Sequence, residues 1–86
     1  MSRRVIISFD QESGLHRVRN FAEELSLALR RQGVGSLPME QADTTTDRLE
    51  ITAIPARKLR RLLAFTMRLL VKHHLDKEAA LETRDD

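Results

Sequence analysis

The stretch from Pro55 to Leu75, "PARKLRRLLAFTMRLLVKHHL", sets the hardest condition on how this chain can fold. It holds six lysines and arginines and no acid, and its apolar residues recur at helical spacing. On a helix, Leu59, Leu62, Leu63, Thr66 and Leu70 form one stripe, while Phe65, Met67, Leu69 and Val71 widen the apolar arc to more than half the circumference. Arg57, Arg61, Arg68 and Lys72 fall within about 60° of one another on the opposite side. One sheet face cannot use an arc that wide, so the spacing predicts a core contact and a second contact. The charges leave no run approaching the ~20 apolar residues of a membrane span.

The remaining elements follow from local pattern. "RRVIISF", Arg3 to Phe9, is β-branched and reads as a strand with Val5, Ile7 and Phe9 on one face. Ile6 puts an apolar group on the other face, which marks a central strand or a face that pairs. Leu15, Val18, Phe21, Ala22, Leu25, Ala28 and Leu29 predict an amphipathic helix over 13–32, with Ser13 or Asp10 as its cap and Gly33 in the left-handed position that ends it. The segment 34–47 is long for a structureless loop, so a short edge strand is expected at 34–40, restricted by Gly35 and Pro38. "DRLEITAIP" reads as a half-buried strand in which Leu49, Ile51 and Ala53 share a face. Pro55 suits the first position of the second helix, and it pushes Ile54 into the extended region.

The order strand, helix, short strand, strand, helix predicts an α+β fold on the ferredoxin-like βαββα plan, with both helices on one sheet face. Its fourth strand would be missing or supplied by a second copy, which would make a homodimer. The alternative is a minimal parallel β-α-β-α unit. Residues 1–76 are expected to form a single domain, and 77–86, "KEAALETRDD", a charged helical extension or a frayed tail. The chain of 86 residues buries only roughly 60–65% of the surface it exposes when unfolded, so association is one route to stability.

Composition excludes several functions. Cysteine is absent, which removes disulfides, thiolate metal sites and cysteine nucleophiles. The apolar run at Val5 to Ile7 is too short for an export signal, so a cytoplasmic setting is expected. Net charge is only +2, but it is segregated: Asp76 to Asp86 carries five acids against Lys77 and Arg84, whereas the second helix has none.

Chemistry-bearing constellations are sparse. Asp10, Ser13 and His16 have the residue types of a hydrolytic trio, yet their spacing suits caps at a helix start better. "FDQESGLH" leads into a helix N-terminus but lacks the glycine series and the lysine of a phosphate loop. His73 and His74 are adjacent and diverge by about 100° on a helix, so together they cannot chelate an ion. No cofactor, metal, membrane partner or small-molecule substrate is expected. The sequence therefore predicts a non-catalytic protein-interaction module of regulator, adaptor, inhibitor or immunity type. It would self-associate or dock on a larger partner through Ile6, Phe65 and Leu69, with Arg57, Arg61, Arg68 and Lys72 facing an acidic surface. The alternative is a nucleic-acid-associated protein that uses the same basic face, although Trp and Tyr are absent and base stacking lacks a platform.

Overall fold

The computed structural model describes residues 2–10, 13–38 and 47–85. Among the described residues it is an α+β fold with a three-stranded antiparallel sheet and two α-helices: β1 (Ser2–Phe9), α1 (Leu15–Gln32), β2 (Arg48–Pro55), α2 (Leu59–Lys72) and β3 (Ala79–Asp85). The sheet order is β2-β1-β3, and β1 is antiparallel to both neighbours. That rules out the parallel β-α-β-α alternative. The expected strand at 34–40 is reduced to one antiparallel bridge, Ser36 with Thr52, and residues 39 and 40 lie outside the described part.

The C-terminal segment departs from expectation. Residues 79–85 are neither a helical extension nor a tail but the strand β3, paired with β1 from Arg3 opposite Asp85 to Phe9 opposite Ala79. The edge of β1 that was left for a second copy is therefore filled by the chain itself. Two causes act together. The second helix stops at a Schellman motif, in which His74 adopts φ 58° and Leu75 N–H donates to Leu70 O at 2.8 Å. Beyond it, the unpaired backbone of a central strand outweighs the modest helix preference of Ala79, Ala80, Leu81 and Glu82.

The alternation expected in β2 is also broken. Val5 lies opposite Ile51 and Arg3 opposite Ile54, so two β2 residues, Thr52 and Ala53, face Arg4 alone. Ala53 takes φ 56° at this bulge and is exposed, while Ile54 is fully buried in its place. Left-handed backbone at an alanine costs about 1–2 kcal/mol, but burying an isoleucine returns about 1.5–3 kcal/mol. The bulge wins because it exchanges a methyl group in the core for a larger side chain.

Capping differs as well. Gly14, not Ser13 or Asp10, occupies the N-cap of α1, and among the described residues no side chain caps it. At the other end Gly33 has φ 60°, as the spacing predicts, and Val34 N–H reaches Leu29 O at 3.3 Å. Pro55 closes β2 with ψ 132° instead of opening a helix, and a 3-10 turn at Ala56–Lys58 carries the chain into α2. The core between sheet and helices joins Val5, Ile7 and Phe9 to Leu49, Ile51 and Ile54, under Phe21, Leu25, Leu62 and Leu70.

Thr66 lies at the centre of the buried face of α2, fully buried, and its hydroxyl has no hydrogen-bond partner among the described residues. An unsatisfied buried hydroxyl costs about 1–3 kcal/mol. Thr66→Val replaces it with a methyl group of similar volume and is expected to raise stability by about 1 kcal/mol. Urea denaturation would show this as a higher midpoint at unchanged slope, and a lower midpoint would refute it.

Candidate interaction surface on the helical layer

The two helices run antiparallel over one sheet face. Past the end of α2, Arg17 of α1 donates to His74 O at 3.0 Å and to Glu78 Oε1 at 3.2 Å. In the middle, Glu24 of α1 accepts from Lys72 Nζ at 2.9 Å on both oxygens. Glu24 Oε1 also lies 3.3 Å from His73 Nε2; a carboxylate only accepts, so that nitrogen carries the proton. At the opposite end, Gln32 and Val34 meet Lys58, Arg61 and Leu62 around a cleft of about 430 Å³.

These contacts divide the expected basic ridge. Arg57, Arg61 and Arg68 are exposed and make no ion pair among the described residues, whereas Lys72 is clamped to Glu24. The start of α2 is basic at Arg57, Lys58, Arg60 and Arg61 and carries no acid in its first turn. Cations there oppose the positive end of the helix macrodipole. The arrangement lowers local stability and favours an anion nearby.

Between the helices runs a shallow groove of about 300 Å³ lined by Glu24, Leu27, Ala28, Arg31, Gln32 and Phe65. Leu27 is 50% exposed, so α1 offers an apolar residue on its outer side. Sequence reasoning assigned Leu27 no role, although an apolar residue off the core stripe was a readable signal. Phe65 is half-buried in the groove.

The other two expected interface residues lie elsewhere. Leu69 is 4% exposed and belongs to the core, so it presents no surface. Ile6 is 2% exposed on the sheet face away from the helices, opposite Glu50 and Glu82 in register, and lies outside the main core cluster. Next to it Arg4 donates to Glu50 Oε1 at 2.8 Å. The apolar stems of such long side chains can cover an isoleucine without a second sheet.

Other sequence candidates stay apart. Among the described residues Ser13 is fully buried with no partner for its hydroxyl, His16 is exposed, and Asp10 meets Ser13 only through backbone. His73 packs edge-on against Phe21, with ring centroids 6.1 Å apart, while His74 turns the chain out of α2. Among the described residues no group of three or more His, Asp or Glu side chains could hold a metal ion, and no helix is long and apolar enough to cross a membrane.

Lys72, hydrogen-bonded to the Glu24 carboxylate, holds that group below its ordinary pKa; burial opposes this and His73 adds to it. A carboxylate depressed in the folded state stabilises the fold above its unfolded pKa. That contribution is lost as pH falls through the lower, folded value. Glu24→Gln is therefore expected to flatten the acid limb of the stability profile below the ordinary carboxylate range. The effect stays within about 1 kcal/mol because the pair is exposed. Urea midpoints measured across that range check it, and parallel profiles for the two proteins would refute it.

No protein-family model, curated protein or solved structure matches this chain.

Proposed function

We propose that this chain is a small non-catalytic interaction module that docks an acidic protein partner on the outer face of its helical layer. The observation that carries this reading is the placement of Arg57, Arg61 and Arg68, exposed and without ion pairs among the described residues, on the same helical face as Phe65, which with Leu27 supplies the apolar part of the groove. Apolar anchors ringed by arginine are the composition that protein interfaces favour. Such a module can act as regulator, adaptor, inhibitor or immunity protein, and a cysteine-free chain suits a cytoplasmic setting.

The architecture supports a ferredoxin-like reading of the fold. With the Ser36 bridge counted as a vestigial second strand on the outer edge of β2, the spatial order becomes fourth, first, third, second around the central β1. Both helices then lie on the same face, as that plan requires.

A nucleic-acid partner is the second reading, favoured by the absence of any acid between Pro55 and Leu75. Against it, Phe9 and Phe21 are buried, which leaves only the half-buried Phe65 among the phenylalanines to stack on a base. Two variants separate the readings. An acidic protein captured by the wild type is expected to be lost from both Arg61→Glu/Arg68→Glu and Leu27→Glu. A labelled oligonucleotide bound in a steeply salt-dependent way, lost in the arginine variant but retained by Leu27→Glu, would transfer the function to nucleic acid. Capture unchanged by either variant would refute the helical-face reading.

A further inference from the structure

The free edge of β3 carries an inference that stands apart from the helical face. Phe9 N–H donates to Asp47 O at 2.8 Å and Asp10 N–H to Glu78 O at 3.0 Å, so even-numbered β1 residues bond toward β3. By the alternation of an antiparallel ladder, Ala80, Glu82 and Arg84 return those bonds. Ala79, Leu81, Thr83 and Asp85 then direct their N–H and C=O groups outward, where no strand pairs with them among the described residues.

The helix above this edge is also unfinished. Ser26 Oγ donates to Leu37 O at 3.3 Å, beside the Ser36 bridge on β2, which places α1 on the β2 side of the sheet. The second helix therefore lies on the β3 side. Its Phe65 and Lys72 face α1, so Met67 and Val71, 44% and 55% exposed, flank the β3 side and the outer surface. Leu81, on the helix side of β3, is only partly buried against the core.

We propose that two copies of this chain pair antiparallel through their β3 edges about a two-fold axis at Leu81, joining their sheets into one and bringing the Met67 flanks together above the seam. The side chains select this register. About Leu81, each Leu81 meets its counterpart on the helix side, Ala79 stands opposite Thr83 of the second copy, and Ala80 stands opposite its Glu82, so no two like charges face each other within the strand. A two-fold at Glu82 would oppose Glu82 to itself, and like charges facing each other across strands are destabilising. A two-fold at Thr83 would set Leu81 against Asp85 and shorten the overlap. Charged edge strands usually repel their copies; here Glu82, Arg84 and Asp85 lie on one side of Leu81 and the neutral Ala79 and Ala80 on the other, so a two-fold at Leu81 sets no charge against a like one within the strand, whereas one at Glu82 does.

The first test is the solution mass of the full chain by light scattering with refractive-index detection, since Trp and Tyr are absent. The expected result is a dimer. Thr83→Pro removes an outward N–H but no β1 bond, and it is expected to halve the mass with an unchanged circular dichroism spectrum. The register is read separately with single cysteines in a chain that has none of its own. On oxidation Leu81→Cys is expected to give a disulfide-linked dimer, while Thr83→Cys, opposite Ala79 of the second copy, stays unlinked. A wild type that remains monomeric at millimolar concentration overturns the proposal, as do two cysteine variants that cross-link equally. Arg61→Glu/Arg68→Glu leaves this edge untouched, so failure here is distinguishable from failure of the helical-face reading.

Discussion

Replacing Gly35 with alanine is expected to destabilise the fold by about 2–4 kcal/mol, a large share of what a domain this size possesses. Gly35 has φ +140°, a region L-residues rarely enter, and an added Cβ would lie 3.0 Å from Thr52 O, 3.2 Å from Ile54 Cγ1 and 3.3 Å from Ile51 Cγ2. The carbonyl cannot retreat easily, because Thr52 O already accepts the Ser36 N–H at 3.0 Å and Thr52 N–H donates back to Ser36 O at 3.0 Å. Moving it would break the only bridge between the 34–38 segment and β2 among the described residues. Gly33→Ala supplies the comparison: its φ is +60° but nothing lies within 4 Å of the added carbon, so only the backbone term of about 1–2 kcal/mol applies. At roughly 4–8 °C per kcal/mol, Gly35→Ala should lower Tm by roughly 10–30 °C, clearly more than Gly33→Ala. Equal losses in thermal denaturation would mean that the close approach at Thr52 contributes nothing.

The same edge illustrates what sequence can convey. Gly35 and Pro38 restricted any strand there, and the structure retains one bridge. The strand β1 was legible because β-branched residues and two-face burial act locally. The cause of Ile6 burial was not, since the residues around it, Arg4, Glu50 and Glu82, come from three strands. The strand β3 was missed because "AALETRD" has no alternation strong enough to oppose its helical preference. Its state is decided by the open edge of β1 and the helix stop at His74, both of which are tertiary or conformational facts. The bulge at Ala53 was hidden for a related reason: "EITAI" alternates until the gain from burying Ile54 is weighed.

On the helical face, charge was legible and pairing was not. The acid-free run in α2 could be read directly, but the partner of Lys72 is Glu24, distant in sequence and on another helix. Arg57, Arg61 and Arg68 thus keep the exposure that the wheel implied, while Lys72 holds the two helices together. The apolar arc proved narrower than it looked, because Leu69 is a core residue, and the true excess is Met67 and Val71 on one flank with Phe65 on the other.

Truncating Phe21 to alanine should be the most damaging single change, at about 3–5 kcal/mol. For a chain of 86 residues the whole stability is about 4–13 kcal/mol, so Phe21→Ala is expected to leave a substantial unfolded fraction at 37 °C. The ring is fully buried and meets Phe9 edge-on at 5.9 Å and His73 edge-on at 6.1 Å. It therefore links the sheet to the end of α2, and it supports the histidine that shares Glu24 with Lys72. A milder variant tests that link without unfolding the protein. Phe21→Leu keeps an apolar filling but removes the flat edge against which His73 rests, so the contribution of Glu24 should shrink in its presence. In a double-mutant cycle with Glu24→Gln, the two losses are expected to fall short of additivity by about 0.5 kcal/mol or more. Strict additivity in urea denaturation would show that the core ring and the interhelical clamp act independently. A coupled result would mean that the helical face is held in shape from beneath, by a side chain no partner could touch.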